Sequence, residues 1–251
     1  MQRLSALHAL IEELTTDAPV LEVRIGLRWT IVVVRKNGQP AAGISSTVLR
    51  SPHHTVKPAM PLAGGLTTRT GQELVQLLHS DNPLEAGVGL ATLNALQDVA
   101  LDQCADLNAG DLIVESGVGK NVAIIGHFPF VPDVRRVAEA VWVLEQNPST
   151  DELPADRAPE ILPQADIVAI TGMTLVNHTF DELIALCRSD ALVLVLGGST
   201  PLSPFLFDYG VDVLAGTRIV DIPPALRAIS QGAGFRQIPG KRLLAMQRHM
   251  A

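Results

Sequence analysis

The chain has 251 residues, of which 47% are hydrophobic and 18% charged, and its formal net charge is −7. This size and composition can bury the core of one or two domains, which excludes a disordered protein. The acidic balance and the lack of a basic run argue against a nucleic-acid partner, because phosphate binding needs clustered Lys and Arg.

The first residues predict an amphipathic helix, since their apolar positions recur at helical spacing. An acidic pair interrupts this stretch and argues against a signal peptide. No apolar run approaches the ~18 residues of a membrane span. The two cysteines are far apart in apolar surroundings, which is typical of reduced thiols in a cytoplasmic protein. The helical positions are Leu4, Leu7, Ile11 and Leu14, and the cysteines are Cys104 and Cys187.

The first half has the pattern of a small α+β domain over residues 1–108. A β-branched stretch from Leu21 to Leu49 predicts a hairpin that turns at residues 37–39. A Pro, Gly and Thr loop over 53–69 then precedes a short helix over 73–78 and a longer one over 84–101. Gly87 and Gly89 each weaken the longer helix by roughly 1 kcal/mol relative to Ala, which indicates a late start or a close backbone approach.

After a polar joint over 108–120, short apolar runs alternate with amphipathic stretches, the signature of βαβ units. We therefore predict an α/β fold with a Rossmann-like parallel sheet over 109–251. The predicted strands are VAIIG at 122–126, VWVLE at 141–145, IVAITG at 167–172, LVLVLGG at 192–198 and VDVLAG at 211–216. The predicted helix stripes are Val134, Val137, Ala138 and Val141, then Phe180, Leu183, Ile184 and Cys187.

Four of the five strands end in glycine, at Gly126, Gly172, Gly197 with Gly198, and Gly216. Open parallel sheets bind ligands outside the carboxyl ends of their strands, where glycine permits close approach. The competing interpretation is that strand-to-helix turns simply favour glycine. Polar residues directly beyond these glycines favour a small-molecule site.

Glu145 ends the second strand, 19 residues after Gly126, where nucleoside binders place an acid on ribose hydroxyls. Gly126 is followed by HFPF rather than by a glycine-rich phosphate loop, which argues against NAD. An adenosyl-type ligand without a pyrophosphate stays compatible with the pattern. The alternative is that Glu145 is only a solvated strand-end carboxylate.

Two polar stretches follow the third and fourth strands. Thr171, Gly172, Met173, Thr174 and Asn177 form the first, and Thr179 with Glu182 predicts a capping box for the next helix. In the second, Pro201 predicts a first helical turn after residues 198–200, where backbone amides could hold an anion. A plain N-cap by Ser199 or Thr200 is the competing interpretation.

The seven histidines lack the local spacings of a zinc site. His127 is the preferred acid/base candidate, and His127 with His178 are the metal-ligand candidates. No G-x-S-x-G elbow appears, which argues against an ordinary hydrolase.

Two further stretches predict local structure. Asp208 and Tyr209 suit the close of a short helix before Gly210. The Pro- and acid-rich stretch over 147–160 predicts a flap.

Three strings, GHFPF, TGMTLVNHT and GGSTPLSPFLFDYGVDVLAG, together resemble the DUF364 family of heavy-metal chelation proteins. GVGLATLNAL around Asn94 extends the resemblance, and the first half resembles the DUF4213 domain with its enolase amino-terminal-like fold. Two departures stand out. His178 occupies a position where a small residue, often Gly, is expected, and Gly198 one where Pro is expected.

The resemblance implies a Rossmann-like carboxyl domain whose strand ends, with the amino-terminal domain, enclose a site. The implied role is metal chelation or the synthesis of flavin-, pterin- or siderophore-like chelators. Our first hypothesis is accordingly an enzyme acting on a chelator-like molecule, with His127 and Asn177 as catalytic residues. The predicted ligand-binding residues are Asn94, Gly126, Phe128, Glu145, Thr171, Gly172, Met173, Thr174, Gly197, Gly198, Ser199 and Thr200.

Two alternatives remain open. A non-catalytic protein for a heavy metal or a metal chelate would use a divalent ion at His127 and His178. A binder of an S-adenosylmethionine-like cofactor would use Glu145. Apolar residues expected at the sheet edge also predict a possible homodimer.

Overall fold

The structure is a computed structural model that describes residues 5–49 and 59–248. The amino-terminal part begins with one helix and a three-stranded antiparallel meander in the order β1-β2-β3. Asn37 and Gly38 form the two-residue turn between β2 and β3 with positive φ angles of 50° and 77°, which confirms the hairpin. Leu4 and residues 53–58 of the predicted loop lie outside the described residues. The elements are α1 (Ala6–Glu12), β1 (Val20–Ile25), β2 (Trp29–Lys36) and β3 (Gln39–Ser46).

Two helices, α2 (Gly71–Val75) and α3 (Pro83–Leu96), follow the meander. The predicted close approach is confirmed, since a Cβ on Gly89 would lie 2.3 Å from the backbone nitrogen of Leu78. The predicted extension of the longer helix to residue 101 is wrong. Lys36, the last residue of β2, donates to the carbonyl of Leu96 and forms an ion pair with Asp98. These contacts hold the chain at the point where α3 ends.

The carboxyl-terminal part is built on a seven-stranded sheet in the order β10-β9-β8-β7-β4-β5-β6. Six strands are parallel and β10 is antiparallel, which confirms the Rossmann-like α/β architecture. All five predicted strands are present, although the last begins at Val213. The strands are β4 (Asn121–Ile125), β5 (Ala140–Glu145), β6 (Leu153–Pro154), β7 (Ile167–Thr171), β8 (Leu192–Leu196), β9 (Val213–Ile219) and β10 (Lys241–Gln247).

The helices of this part are short, and two predictions about them are wrong. The stripe that included Val141 is not one helix, because α5 ends at Arg135 and Val141 pairs with Val122 in the sheet. Thr179 makes no side-chain cap, because its hydroxyl donates to Asn177 instead. The stripe from Phe180 to Cys187 is confirmed. The helices are α4 (Ala109–Ser116), α5 (Val131–Arg135), α6 (Ala158–Ile161), α7 (Phe180–Leu186) and α8 (Ile222–Ser230).

The two parts share one buried core. One face of the parallel sheet packs with α6 and α7 and also with α1 and α3 of the amino-terminal part, while the other face packs with α4 and α5. The strands alternate between these faces with the period of two that β-structure requires. Core residues shared by the two parts include Ala6, Leu10, Leu90, Leu93, Ile125, Ile170, Val195 and Leu214.

Both cysteines are free thiols, and each donates a hydrogen bond to a backbone carbonyl four residues earlier. Burial raises the pKa of the Cys187 thiol to about 11, so this group is a neutral, unreactive thiol at physiological pH. Within the described residues, no helix combines the length and apolar character needed to cross a bilayer.

Candidate functional site

Two cavities open at the carboxyl edge of the parallel sheet. The first, which we call the acidic cavity, has a volume of about 1470 Å³. It is formed by the ends of β4, β5 and β7, the segment after β5, the segment before α7 together with α7 itself, and a few residues of the amino-terminal part. Its polar lining residues include Asp81, His127, Glu145, Gln146, Asn147, Asp156, Thr171, Thr174, Asn177, His178 and Glu182.

His127 stands at the mouth of the acidic cavity as one half of a histidine–carboxylate pair. Its Nδ1 lies 2.7 Å from Oε1 of Glu152, while 79% of its side chain is exposed. The Ser149 backbone N–H and the imidazole of His127 hold the pKa of Glu152 below its usual range. An ionised carboxylate can only accept, so Nδ1 carries the proton and Nε2 is the nitrogen left for a ligand.

Glu145 lies in the same cavity, and its pKa is shifted in the opposite direction to that of Glu152. Burial, followed by the negative charge of Glu152, raises the pKa of the Glu145 carboxyl. The carboxyl group accepts from the backbone N–H of Gln146 at 3.2 Å. The cavity therefore holds an oriented imidazole, which suits a base, and a carboxyl group whose pKa is raised, which is the direction that suits an acid.

The charge of the acidic cavity restricts its ligand. Its lining contains four acids, Asp81, Glu145, Asp156 and Glu182, and its described lining contains no Lys or Arg. A phosphate or pyrophosphate group needs cations or a helix terminus, so this lining disfavours nucleotide phosphates. A neutral or cationic organic molecule is the better match.

The second cavity, the aromatic cavity, has a volume of about 760 Å³ and lies beside the first. Its lining combines two pairs of aromatic rings with two basic side chains. His127 and Thr171 line both cavities, so the two spaces adjoin at the ends of β4 and β7. The residues that define it are Trp29, Phe128, Phe130, Phe235, Arg236 and Lys241, with Gly197 and Gly198 at the end of β8.

The strand-end glycines are required by geometry. Gly126 and Gly197 both have φ of 113°, a conformation that residues with side chains rarely adopt. At Gly198, a Cβ would lie 2.6 Å from ring atoms of Trp29 and of Phe235. The proline that the resemblance leads us to expect at Gly198 would therefore collide with both rings.

A polar clamp joins the two parts of the chain behind the cavities. The amide of Asn94 donates to the carbonyls of Ile44 and Ser199, both at 3.0 Å. The hydroxyl of Ser199 accepts from the backbone N–H of Ser46 at 2.9 Å. Thr200 is buried against Gly172, where a Cβ would lie 2.8 Å from its Cα.

The clamp changes the interpretation of several predicted site residues. Asn94, Gly172 and Thr200 line neither cavity, and they lie in the packed wall instead. The predicted helical turn at Pro201 is wrong, because the turn begins at Pro204 with Ser203 as its N-cap. The backbone N–H of Thr200 donates to Gly197, so this amide does not serve an anion.

Asn177, the predicted catalytic residue, and His178, a metal-ligand candidate, are exposed and line the acidic cavity. Oδ1 of Asn177 accepts from the backbone and the hydroxyl of Thr179. His178 has a φ of 61°, which explains why a small residue or glycine suits this position, and its Nε2 donates to the carbonyl of Leu78 at 2.9 Å. The remaining predictions for the acidic cavity, at Gly126, Glu145, Thr171, Met173 and Thr174, all fall on its lining.

The candidate metal ligands do not form a preformed metal centre. Within residues 5–49 and 59–248, no three His, Cys, Asp or Glu side chains come together in an arrangement that could hold an ion. His127 and His178 each line the acidic cavity, but each already uses one ring nitrogen on a protein acceptor. The donor set thus does not fit a resident metal ion.

The sequence pattern missed four residues that shape these cavities. Glu152 lies in the acid-rich stretch but gives no local sign of its contact with His127. Trp29 and Phe235 come from opposite ends of the chain and meet at a ring distance of 5.1 Å. Lys241 stands at the start of β10, a strand that was not predicted.

Comparisons with known proteins place the chain among relatives of similar architecture. The family profile of DUF364, described as "Putative heavy-metal chelation", matches residues 108–246, and that of DUF4213, with the same description, matches residues 7–97. The protein named Uncharacterized protein MJ0500 of Methanocaldococcus jannaschii is 25% identical over 225 residues, which are 86% of this chain and 85% of that protein.

Two solved structures share the fold. A protein of unknown function from Desulfitobacterium hafniense superposes with a TM-score of 0.83 at 24% identity, covering 96% of this chain and 97% of its own. A second, from Pyrococcus horikoshii, gives a TM-score of 0.79 at 22% identity with the same coverage. Both are titled as members of the DUF364 family, and at these identities the likeness establishes the fold.

Proposed function

The chain belongs to the DUF364 family, and from that premise we propose that it is an enzyme that acts on a small chelator-like organic molecule in the acidic cavity. The substrate class is a neutral or cationic molecule of flavin, pterin or siderophore type. The observation that carries the proposal is the His127–Glu152 pair at the mouth of a cavity that also contains Glu145.

The proposed chemistry is proton transfer. Chelators bind metals through oxygen or nitrogen atoms that have lost a proton. Nε2 of His127 accepts such a proton from the bound molecule, and Glu152 stabilises the imidazolium that results. Glu145, whose pKa is raised by burial, supplies a proton to a neighbouring atom of the substrate. A heavy metal would in this scheme be cargo of the organic molecule, because no three donor side chains within the described ranges come together to hold an ion.

The test is native mass spectrometry of the protein incubated separately with riboflavin, pterin and catechol. We expect a 1:1 adduct with at least one of them. The variant Ala185→Trp, at an exposed position of α7 that lines the acidic cavity, should abolish the adduct. Ala63→Trp is the matched control, because Ala63 is also exposed but lines neither cavity.

Two results would contradict the proposal. The first is an adduct that survives Ala185→Trp unchanged, which would move the site elsewhere. The second is tight binding of a bare metal ion together with no organic adduct, which would favour a chelating protein without catalysis. An S-adenosylmethionine adduct lost in Glu145→Lys would replace the proposed substrate class with a nucleoside cofactor.

A further inference from the structure

We propose that the aromatic cavity is a second ligand site, which takes a planar aromatic acid. This inference goes beyond the proposed function and does not depend on it, because it rests on a different space and different side chains. The cavity volume of about 760 Å³ falls within the range of roughly 300 to 1,000 Å³ that is typical of small-molecule sites.

Two aromatic pairs make the cavity suitable for a flat ring system. Trp29 and Phe235 lie 5.1 Å apart between ring centroids, and Phe128 and Phe130 are stacked at the same distance with an interplanar angle of 18°. Trp29 belongs to the amino-terminal part and Phe235 to the carboxyl-terminal end. Aromatic side chains attract a further ring through offset stacking and edge-to-face contacts.

The preference for an acid follows from the two cations of the lining. The lining also contains two acids, Asp111 and Asp133. Lys241 and Arg236 form no ion pair with either acid or with any other residue of the described ranges, and Asp133 is paired with Arg136 instead. The ammonium of Lys241 lies 5.1 Å from the Phe235 centroid and donates to the carbonyl of Ile238 at 2.7 Å. Burial lowers the pKa of Lys241, which is the sign of a desolvated cation that an anion would stabilise.

A third feature is the hydroxyl of Thr217, another lining residue. Its Oγ1 is buried and has no hydrogen-bond partner among the described residues. A buried polar atom without a partner is costly, and such atoms recur where a ligand or water completes the bonding. Aromatic walls, unpaired cations and an unsatisfied hydroxyl therefore converge on one space.

The aromatic cavity adjoins the acidic cavity. His127 and Thr171 line both cavities, so a molecule in each would meet at these two residues. The site thus holds its ligand beside the imidazole of His127.

The experiment is isothermal titration calorimetry with 2-naphthoate, a planar aromatic acid. Two matched probes separate the contributions: 2-naphthalenemethanol keeps the rings without the charge, and decalin-2-carboxylate keeps the charge without the aromatic faces. We expect saturable 1:1 binding of 2-naphthoate and weaker binding of both other probes.

Two variants locate the binding. Lys241→Gln should weaken 2-naphthoate about fivefold to tenfold and leave 2-naphthalenemethanol unchanged. Phe235→Leu should weaken both aromatic probes by about threefold to tenfold. The controls are Lys120→Gln and Phe205→Leu, exposed residues that line neither cavity and should bind as the wild type does.

The proposal is overturned if 2-naphthoate shows no saturable binding up to about 5 mM. It is also overturned if Lys241→Gln, shown by a thermal melt to be folded, binds 2-naphthoate as tightly as the wild type. Ala185→Trp, which alters the lining of the acidic cavity alone, should not change 2-naphthoate affinity. The two sites can therefore fail or succeed separately.

Discussion

At the amino edge of the parallel sheet, two carboxylates each accept a backbone hydrogen bond and form an ion pair. At the carboxyl edge, burial disfavours the ionisation of a third carboxyl group. Asp166, just before β7, accepts from the backbone N–H of Asn121 at 2.9 Å and pairs with Arg188. Asp212, just before β9, accepts from Val193 at 2.9 Å and pairs with Arg248. At the other edge, burial raises the pKa of Glu145.

The difference shows that the two edges serve different needs. At the amino edge, backbone N–H groups at the starts of strands donate to ionised aspartates, and these hydrogen bonds stabilise the fold. The carboxyl edge instead carries left-handed glycines, an exposed histidine and two cavities, features that cost stability unless a ligand uses them. Changes at the two edges should therefore have separable effects on stability and on ligand chemistry.

The largest expected effect is on catalysis at the carboxyl edge. His127→Ala should reduce turnover of the organic substrate by about 10² to 10⁴, the range for removing a general base, without a change in melting temperature. Steady-state kinetics with a thermal melt measures both quantities. His8→Ala is the matched control, because the His8 side chain is 45% exposed, pairs with Glu12 and lines neither cavity. Equal losses in both variants would remove His127 from the mechanism.

A substitution at the amino edge should change the stability of the fold and leave ligand binding unchanged. Asp166→Ala leaves the Asn121 N–H without its acceptor and should lower the melting temperature by about 2 to 6 °C at pH 7, with ligand binding unchanged. The Asn121 N–H, and then the charge of Arg188, lower the pKa of Asp166. Its contribution is therefore complete above the ordinary aspartate pKa of 3.8 and is lost as the pH falls through the lowered value.

Asp190→Ala is the control for that experiment, because Asp190 also pairs with Arg188 but is 70% exposed and supports no strand end. Circular dichroism melts at pH 7 and pH 3 compare the two variants. Similar losses in both at pH 7 would show that the charge of Arg188, rather than the strand end, is what Asp166 stabilises.

A smaller effect of opposite sign is expected at Glu145. Because the folded-state pKa of this group is raised, the wild type loses stability as the pH rises above the ordinary glutamate pKa of 4.5, and the loss is complete above the raised value. Glu145→Gln should raise the melting temperature by about 1 to 3 °C at pH 8, and the gain should vanish below the ordinary glutamate pKa of 4.5. Glu139→Gln, exposed just before the same strand, should have no such effect. A destabilised Glu145→Gln at pH 8 would contradict the assignment.

The smallest expected effect is that of metal removal. Because the described residues form no three-ligand group, treatment with EDTA should shift the melting temperature by less than about 1 °C. Elemental analysis of the untreated protein checks the same point. A stoichiometric metal whose removal lowers the melting temperature would show that a resident metal centre exists after all.

Much of the carboxyl edge could be predicted from local pattern. The strand ends at Gly126, Glu145 and Thr171 follow from apolar runs that stop at glycine or at a polar residue, and parallel strands bring such ends to one edge. The left-handed conformation at His178 could be anticipated from the family resemblance, because a small residue, often glycine, is expected at that position.

The remaining features depend on contacts between distant segments, which no local pattern contains. Lys36 ends α3 from 60 residues away, and Trp29 meets Phe235 across nearly the whole chain. The partner of His127 lies in a connecting segment with no periodicity. The sequence pattern does not predict the edge strand β10, because exposed Leu243 interrupts its apolar alternation and its outer side is covered only by a bridge to Ala105.

The shared core of the two parts has a consequence for how this chain can be divided. Two family profiles match separate stretches, yet α1 and α3 occupy the place of the covering helices on one face of the carboxyl-terminal sheet. A fragment that begins after residue 108 would expose that face to water, and the complementary fragment would lose the surface on which its helices rest. The two halves should therefore be obtained in folded form only when both are present, either in one chain or co-expressed.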